Sequence, residues 1–325
     1  MNAITSDQLE ASVSWAHKFT LDDWNGRASV RTSQHTYQLP DDLQEQLKTR
    51  HWFPPAFLPY LSHPAIRAAG SEVIQRLTAN HLVHFLDYTT LLEHRIVNRA
   101  VETIVHGELP AFVPSRMKNA ALQLYTDEGY HALFSNQLAE QIASQYGITE
   151  RPVMPMRITQ LNTAITRVPE TDRPLAWFLL GFVSETIIAR ELLEVCRDTL
   201  VSSVSDMLRD HLADEARHSR YFSEVFHYLW LTLNSRQRTF SARMLLEFLR
   251  IFFEVDERWL KQSLRSVGIA DDVIRKILDG LISPRASRQR TRAGAKATLE
   301  AMKKAGFFAL INNRKLFAKA GLVDE

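Results

Sequence analysis

The chain has 325 residues, a formal net charge of +2 and 45% hydrophobic residues, which is enough apolar material for one large domain. A single cysteine, Cys196, excludes a disulfide framework and any metal site made of cysteines alone, and it is typical of a reducing compartment. The amino terminus lacks a secretory pattern, and the longest apolar run, Leu175 to Val183, is about half a bilayer span, so we expect a cytoplasmic protein without membrane segments.

Proline and glycine divide the chain into an almost entirely helical pattern without sustained strand-like alternation. We expect a single domain over residues 1–325, made of an irregular arm (1–64), a four-helix core (about 71–233), and additional helices with a basic tail (235–325). This pattern predicts an all-α fold.

The four core helices are predicted over residues 71–106, 114–146, 174–201 and 203–233. Ser71 is the expected N-cap of the first helix, and Gly147 is the expected stop of the second. Further helices are predicted over 235–267, over 271–281 and in much of the tail.

The sequence Asp-Glu-x-x-His occurs twice, once in the second core helix and once in the fourth. Residues three apart share a helix face, so Glu128 with His131 can bind one ion, as can Glu215 with His218. Both pairs interrupt apolar stripes, where an unpaired carboxylate is unfavourable without a cation or a hydrogen-bond network. A single Glu-x-x-His is usually a surface pair, but two copies in apolar seams predict two bound metals.

Ferritin-like di-metal bundles take one further Glu from each of the other two helices. In the first helix we expect Glu93, which lies in an apolar seam with Glu102 beside it. In the third we expect Glu185, with Glu191 as the competitor, although the charged turn around Glu191 favours a solvated face. These positions predict a ferritin-like four-helix bundle core with additional N- and C-terminal helices.

Three more polar residues accompany the two motifs. His211 precedes Glu215 by four residues on the same face, so it is either a third imidazole ligand or a hydrogen-bonded histidine nearby. Asp127 and Asp214 each suit a hydrogen bond from a ligand histidine ring, the alternative being an exposed charge. Carboxylates and imidazoles suit iron or manganese, and iron is the metal that routinely activates dioxygen.

With these residues the chain resembles the p-aminobenzoate N-oxygenase family of di-iron oxygenases over most of its length. The resemblance rests on seven positions, of which His211 matches the family's additional ligand: Glu93, Glu128, His131, Glu185, His211, Glu215 and His218. It implies two iron ions, dioxygen and an external electron donor, N-oxygenation of an amine to a hydroxylamine, nitroso or nitro product in secondary-metabolite biosynthesis, and a homodimer. A helical irregularity in the third helix would shift its ligand.

Other functions remain open, because a fold does not decide a reaction. The alternatives are a di-iron hydroxylase acting on carbon and a non-enzymatic ferritin-like iron-binding protein. No Gly-x-Gly-x-x-Gly fingerprint or Walker loop indicates a nicotinamide, flavin or nucleotide site.

The segment from Arg285 to Glu325 is basic, with ten Lys or Arg residues against three acids. We expect a solvated helical face that packs on the domain through Leu299, Met302, Phe307, Phe308 and Leu310. The alternative is a landing surface for an acidic partner, such as a carrier protein that bears the amine, in preference to nucleic acid.

Three apolar or aromatic residues lie near the predicted ligands in sequence: Tyr88, Leu124 and Phe182. They are candidates for the wall of a substrate pocket, or else ordinary core. The sequence leaves the amine open as an aromatic amine, an amino acid derivative or a carrier-bound amine.

Overall fold

The computed structural model describes residues 18–32 and 37–324, so parts of the predicted arm (1–17 and 33–36) and residue 325 lie outside the described residues. The predicted all-α class is confirmed: the described residues form helices and one isolated bridge between His51 and Leu200. Within these ranges, no helix is both long and apolar enough to cross a membrane.

Short helices precede the core. They are α1 (Trp24–Arg27), α2 (Ser29–Thr32), α3 (Leu43–Gln46) and α4 (Pro64–Ala68), with 3-10 turns at Pro55–Phe57 and Pro59–Ser62. The core and its connections are α5 (Ser71–Leu92), a π-helical segment (Glu93–Val97), α6 (Asn98–Val105), α7 (Ser115–Tyr146), α8 (Met156–Thr166), a 3-10 turn (Glu170–Asp172), α9 (Arg173–Val195) and α10 (Ser202–Thr232).

The remaining helices follow the core. They are α11 (Ser235–Phe252), α12 (Glu257–Arg265), α13 (Asp271–Ile282), α14 (Pro284–Gly294), α15 (Lys296–Lys304), a 3-10 turn (Phe307–Ala309) and α16 (Ile311–Lys319). In the bundle, α5 packs along α7, α9 packs along α10, and α6 contacts both α7 and α9.

The buried apolar side chains form two separate clusters, and the core helices contribute to both. On α7, Leu124 belongs to one cluster and Phe134 to the other. On α10, Tyr221 and Leu208 are divided in the same way. Between these positions lie the two Asp-Glu-x-x-His motifs. The bundle therefore contains a polar layer between two apolar clusters.

A helical irregularity occurs in the first core helix, whereas α9 is regular throughout. In the segment Glu93–Val97 the helix widens, and the Asn98 N–H donates to the Glu93 carbonyl, five residues back. Such π turns are frequent at functional sites, because the extra residue redirects the side chains that follow. The predicted seam holds through the widened turn, since Glu93, Val97 and Val101 are all fully buried.

The third core helix ends at Val195, so the predicted end near Val201 is wrong. The residues after it pair with the arm instead: the His51 N–H donates to the Thr199 carbonyl at 3.0 Å, and the Val201 N–H donates to the His51 carbonyl at 3.0 Å. These backbone bonds replace the helical ones that would have continued α9.

Other helix boundaries also differ from the prediction. Gly70, with φ of 94°, is the N-cap of α5, so Ser71 is its first residue and not its cap. The single helix predicted over 235–267 is two helices, because Asp256 caps α12 by accepting the Trp259 N–H at 2.9 Å. The second core helix ends at Tyr146 before left-handed Gly147, as predicted.

Helix α8 was missed, although Ile158, Leu161 and Ile165 repeat at helical spacing and are buried. In the tail, Met302 and Phe307 are fully buried as predicted, but Leu310 is 38% exposed, so its predicted packing role is wrong. Most of the basic side chains of the tail are exposed.

Gly181 allows α9 to approach α6 closely, because a Cβ there would lie 2.5 Å from the Ala100 Cβ and 3.0 Å from the Phe222 ring. We expect Gly181→Ala to lower the free energy of unfolding by about 1–3 kcal/mol through overpacking, measured by urea denaturation. Gly280→Ala is the control, since nothing lies within 4 Å of that added methyl, and we expect a gain of about 0.5–1 kcal/mol there. Equal stability gains in both variants would contradict the close packing.

Candidate metal centre

Seven buried polar side chains meet in the layer between the two apolar clusters. They form three overlapping groups, in each of which the potential ligand atoms lie within 4.8 Å of one another: Glu93, His131, His211 and Glu215; Glu128, His131, Glu215 and His218; Glu93, Glu128 and Glu185. Each of the seven is at most 1% exposed. The structure therefore brings together all seven positions proposed from the sequence.

His211 faces the carboxylates through its Nε2 atom. This atom lies 3.5 Å from a carboxylate oxygen of Glu93 and 3.4 Å from one of Glu215, and no described residue forms a hydrogen bond with it. The His131 ring lies beside it, with 4.3 Å between ring centroids. His211 therefore has the placement of a ligand, and ligation itself stays a prediction.

The two motif carboxylates each contact both motif histidines. Glu128 lies 3.4 Å from Nδ1 of His131 and 2.9 Å from Nδ1 of His218. Glu215 lies 3.2 Å and 3.3 Å from the same two atoms. Glu185 is near only one of them, at 3.7 Å from Nδ1 of His218. Glu128 and Glu215, the two shared carboxylates, thus lie between the histidines of the two motifs.

Two carboxylates of this cluster, Glu93 and Glu185, are poorly compensated by protein groups, whereas the neighbouring histidines outweigh the effect of burial and lower the pKa of Glu128 and Glu215. Both oxygens of Glu93, Glu128 and Glu185 are buried without a hydrogen-bond partner among the residues that the structure describes. Burial, reinforced by the neighbouring carboxylates, raises the pKa of Glu93 and of Glu185 well above the usual range. An uncompensated buried anion destabilises the folded protein by several kcal/mol, so these carboxylates suit the binding of cations better than a purely structural role in the core. The residues present therefore fit a pair of metal ions.

Hydrogen bonds from the histidine of each motif to the aspartate of the other join the two motifs. The His218 Nε2 atom lies 3.0 Å from Asp127, and the His131 Nε2 atom lies 3.1 Å from Asp214. Each aspartate therefore holds the histidine of the opposite helix, with Nε2 as the donor and the Nδ1 lone pair facing the cluster. Both aspartates are fully buried, so the alternative of exposed charges is wrong.

The arm completes this network from outside the bundle. The Trp24 indole N–H donates to both carboxylate oxygens of Asp127, each at 2.9 Å. The Ser29 backbone N–H and hydroxyl both donate to Asp214. Neither residue was predicted, because nothing local relates them to positions in the distant core helices. Arg217, which pairs with Asp214, did have a signal, since the two are three residues apart on one helix.

The competing carboxylates lie outside the cluster. Glu102 forms an ion pair with Arg99 at 2.7 Å. Glu191 is partly buried, and its pKa is raised by burial and lowered less strongly by Arg157. The prediction of a solvated face for Glu191 is therefore wrong, although the preference for Glu185 at the cluster agrees with the structure.

The three candidate pocket residues are all buried. Phe182 stacks in parallel on Phe226, with 4.3 Å between ring centroids, and is an ordinary core contact. Tyr88 differs, because its buried hydroxyl has no hydrogen-bond partner among residues 18–32 and 37–324 and the Arg157 guanidinium lies 4.7 Å above its ring. Of the three candidates, Tyr88 is therefore the one that offers a polar group.

A protein-family model described as P-aminobenzoate N-oxygenase AurF matches residues 26–306, which is most of the chain. The match includes the seven cluster residues and both aspartates, whereas Trp24 precedes it. It agrees with the all-α, ferritin-like fold expected from the motif spacing.

We expect Glu215→Ala to lose most bound metal, because this carboxylate contacts the histidines of both motifs. Glu102→Ala is the matched control: it removes a partly buried glutamate outside the cluster and is expected to retain the metal. Metal content per chain after anaerobic loading, measured by elemental analysis, checks both. Full retention by Glu215→Ala would contradict the assignment of the cluster as a metal centre.

Proposed function

The chain belongs to the P-aminobenzoate N-oxygenase AurF family, and we propose that it holds two iron ions in the buried cluster and uses dioxygen to N-oxygenate an amine. The observation that carries this proposal is the set of buried carboxylates that lack hydrogen-bond partners among the described residues and are arranged around imidazole nitrogens. Carboxylate and imidazole donors suit iron, and the cluster contains no thiolate.

We assign the ligands by their contacts. One ion would be held by Glu93, His131 and His211, which share a group of converging atoms. The other would be held by Glu185 and His218, which lie 3.7 Å apart. The two shared carboxylates, Glu128 and Glu215, contact the histidines of both motifs and are suited to serve both ions.

Bound iron supplies the redox chemistry by which dioxygen oxidises the amine nitrogen to a hydroxylamine, nitroso or nitro product, with electrons from an external donor. The protein orients the ligands and excludes water. Asp127 and Asp214 hold the histidine protons on Nε2, so that Nδ1 is available to a metal. Apolar side chains such as Leu124 and Phe182 are fully buried and keep the layer dry.

The substrate side of the site is the region around Tyr88. Tyr88 lies five residues before Glu93, and within the described part of the chain neither its buried hydroxyl nor the Nε atom of Arg157 has a hydrogen-bond partner. One helical turn before Tyr88, His84 stacks on Trp259 with 4.1 Å between ring centroids, so aromatic rings also line this part of α5. We therefore favour an aromatic amine with an acidic group, as in p-aminobenzoate, with the acid held by Arg157 and Tyr88.

Three further aspects belong to the proposal. We propose a homodimer, as the family resemblance implies, and a role in secondary-metabolite biosynthesis. A carrier-bound amine is the second candidate substrate, supported by the exposed basic residues of the tail, such as Lys303, Lys304 and Lys315. Mass spectrometry of the products from free and carrier-tethered amines distinguishes the two substrate forms.

We expect anaerobically reconstituted protein to bind about two iron ions per chain and, when reduced, to consume oxygen only when an amine is present. Oxygen-electrode traces with and without the amine, combined with mass spectrometry, check this. A carbon hydroxylase would yield a product oxidised at carbon, and a storage protein would consume oxygen without the amine. Less than about half an iron per chain would contradict the di-iron assignment.

The role of Arg157 has its own test. We expect Arg157→Met to raise the KM for p-aminobenzoate by about 10–100-fold, because a charge-assisted hydrogen bond is lost, and to leave the KM for aniline unchanged. Arg167→Met is the control, since this neighbouring arginine is exposed and pairs with Glu247 at the surface. A similar rise in KM for both amines would mean that Arg157 does not bind the acidic group.

A further inference from the structure

The two Asp-Glu-x-x-His motifs differ in charge at the position before the histidine. The second motif has Arg217 there, whereas the first has the neutral Tyr130. Arg217 is only 8% exposed and forms an ion pair with Asp214, three residues earlier on α10. The pair is therefore buried next to the centre, where screening by water is weak.

The two buried aspartates consequently have different surroundings. Asp214 accepts hydrogen bonds from the cationic Arg217, from Ser29 and from His131. Asp127 accepts only from neutral Trp24 and from His218, and it forms no ion pair with a lysine or arginine among residues 18–32 and 37–324. One aspartate is neutralised by a full positive charge and the other is not.

This difference reaches the metal positions through the histidines. A carboxylate that accepts a proton from an imidazole makes the opposite ring nitrogen more electron-rich. The uncompensated Asp127 acts on His218, while the charge of Asp214, which acts on His131, is offset by Arg217. His211, which lies beside His131, is treated as a neutral imidazole and adds no negative charge on that side. The His218 side is therefore more negative than the His131 side by about one unit charge.

We propose that Arg217 is a positioning residue that makes the two metal positions electrically unequal, so that the ion beside His131 accepts an electron before the ion beside His218. This inference rests on the proposed di-iron function. The step is the transfer of one electron from an external one-electron donor, which reduces one ferric ion to ferrous without breaking a bond. Trp24 acts in the same network, because its N–H withdraws charge from Asp127.

The test is a potentiometric titration of the iron-loaded protein, with electron paramagnetic resonance used to follow the half-reduced form. In the wild type we expect two separate one-electron potentials and clear accumulation of that form. Arg217→Met removes the cation and lowers the potential beside His131, so the comproportionation constant should fall by about tenfold. Trp24→Phe leaves more charge on Asp127 and lowers the potential beside His218, so the constant should rise several-fold.

The opposite signs distinguish tuning from general damage, which would change both variants in the same direction. Arg217→Lys keeps the cation and should preserve the separation. Arg220→Met is the control. This arginine of α10 pairs with Asp22 of the arm, away from the cluster, so the comproportionation constant should not change. Circular dichroism and iron content establish that each variant is folded and loaded.

Each outcome has a defined meaning. An unchanged constant in Arg217→Met, or the same direction of change in Arg217→Met and Trp24→Phe, overturns the inference. If Arg217→Met fails to load iron, Trp24→Phe decides alone, and an unchanged or smaller constant there overturns it. A wild type that does not bind two irons refutes the proposed function instead, so the two failures are distinguishable.

Discussion

The mutual repulsion of four glutamates within a dry layer is the constraint on which the rest of this structure depends. Glu93, Glu128, Glu185 and Glu215 are all fully buried, and together they would be untenable as anions without compensating charge. The apolar clusters on either side keep water away and so strengthen both this repulsion and the attraction for cations. The same packing therefore stabilises the bundle and favours the binding of metal cations.

Because each histidine pairs with an aspartate on the other helix, the geometry of the centre depends on how α7 and α10 pack against each other. Asp127 on α7 orients His218 on α10, and Asp214 on α10 orients His131 on α7. Any sliding of α7 against α10 would disturb both pairs at once, so the spacing of the helices and the orientation of the ligands are coupled. The arm adds to this coupling, because Trp24 contacts the aspartate of one helix and Ser29 that of the other.

Local periodicity explains why most of the centre was predictable from the sequence. Glu128 and His131 share a face because helices place residues three apart together, and the buried seams show which face is inside. The π turn at Glu93 leaves no local pattern, and neither does the end of α9, which depends on pairing with His51. Trp24 was unpredictable for the same reason, since its contact with Asp127 spans 103 residues.

That long separation in sequence affects when the contacts of the arm can form during folding. Trp24 and Ser29 leave the ribosome before most of the chain, yet Ser29 can bond to Asp214 only after 185 further residues have been made. Contacts across such distances require the closure of a long loop, so they form after the local helix pairs. We therefore expect the segment with Trp24 and Ser29, although it is made before the bundle, to dock on the two aspartates only after the core helices have paired.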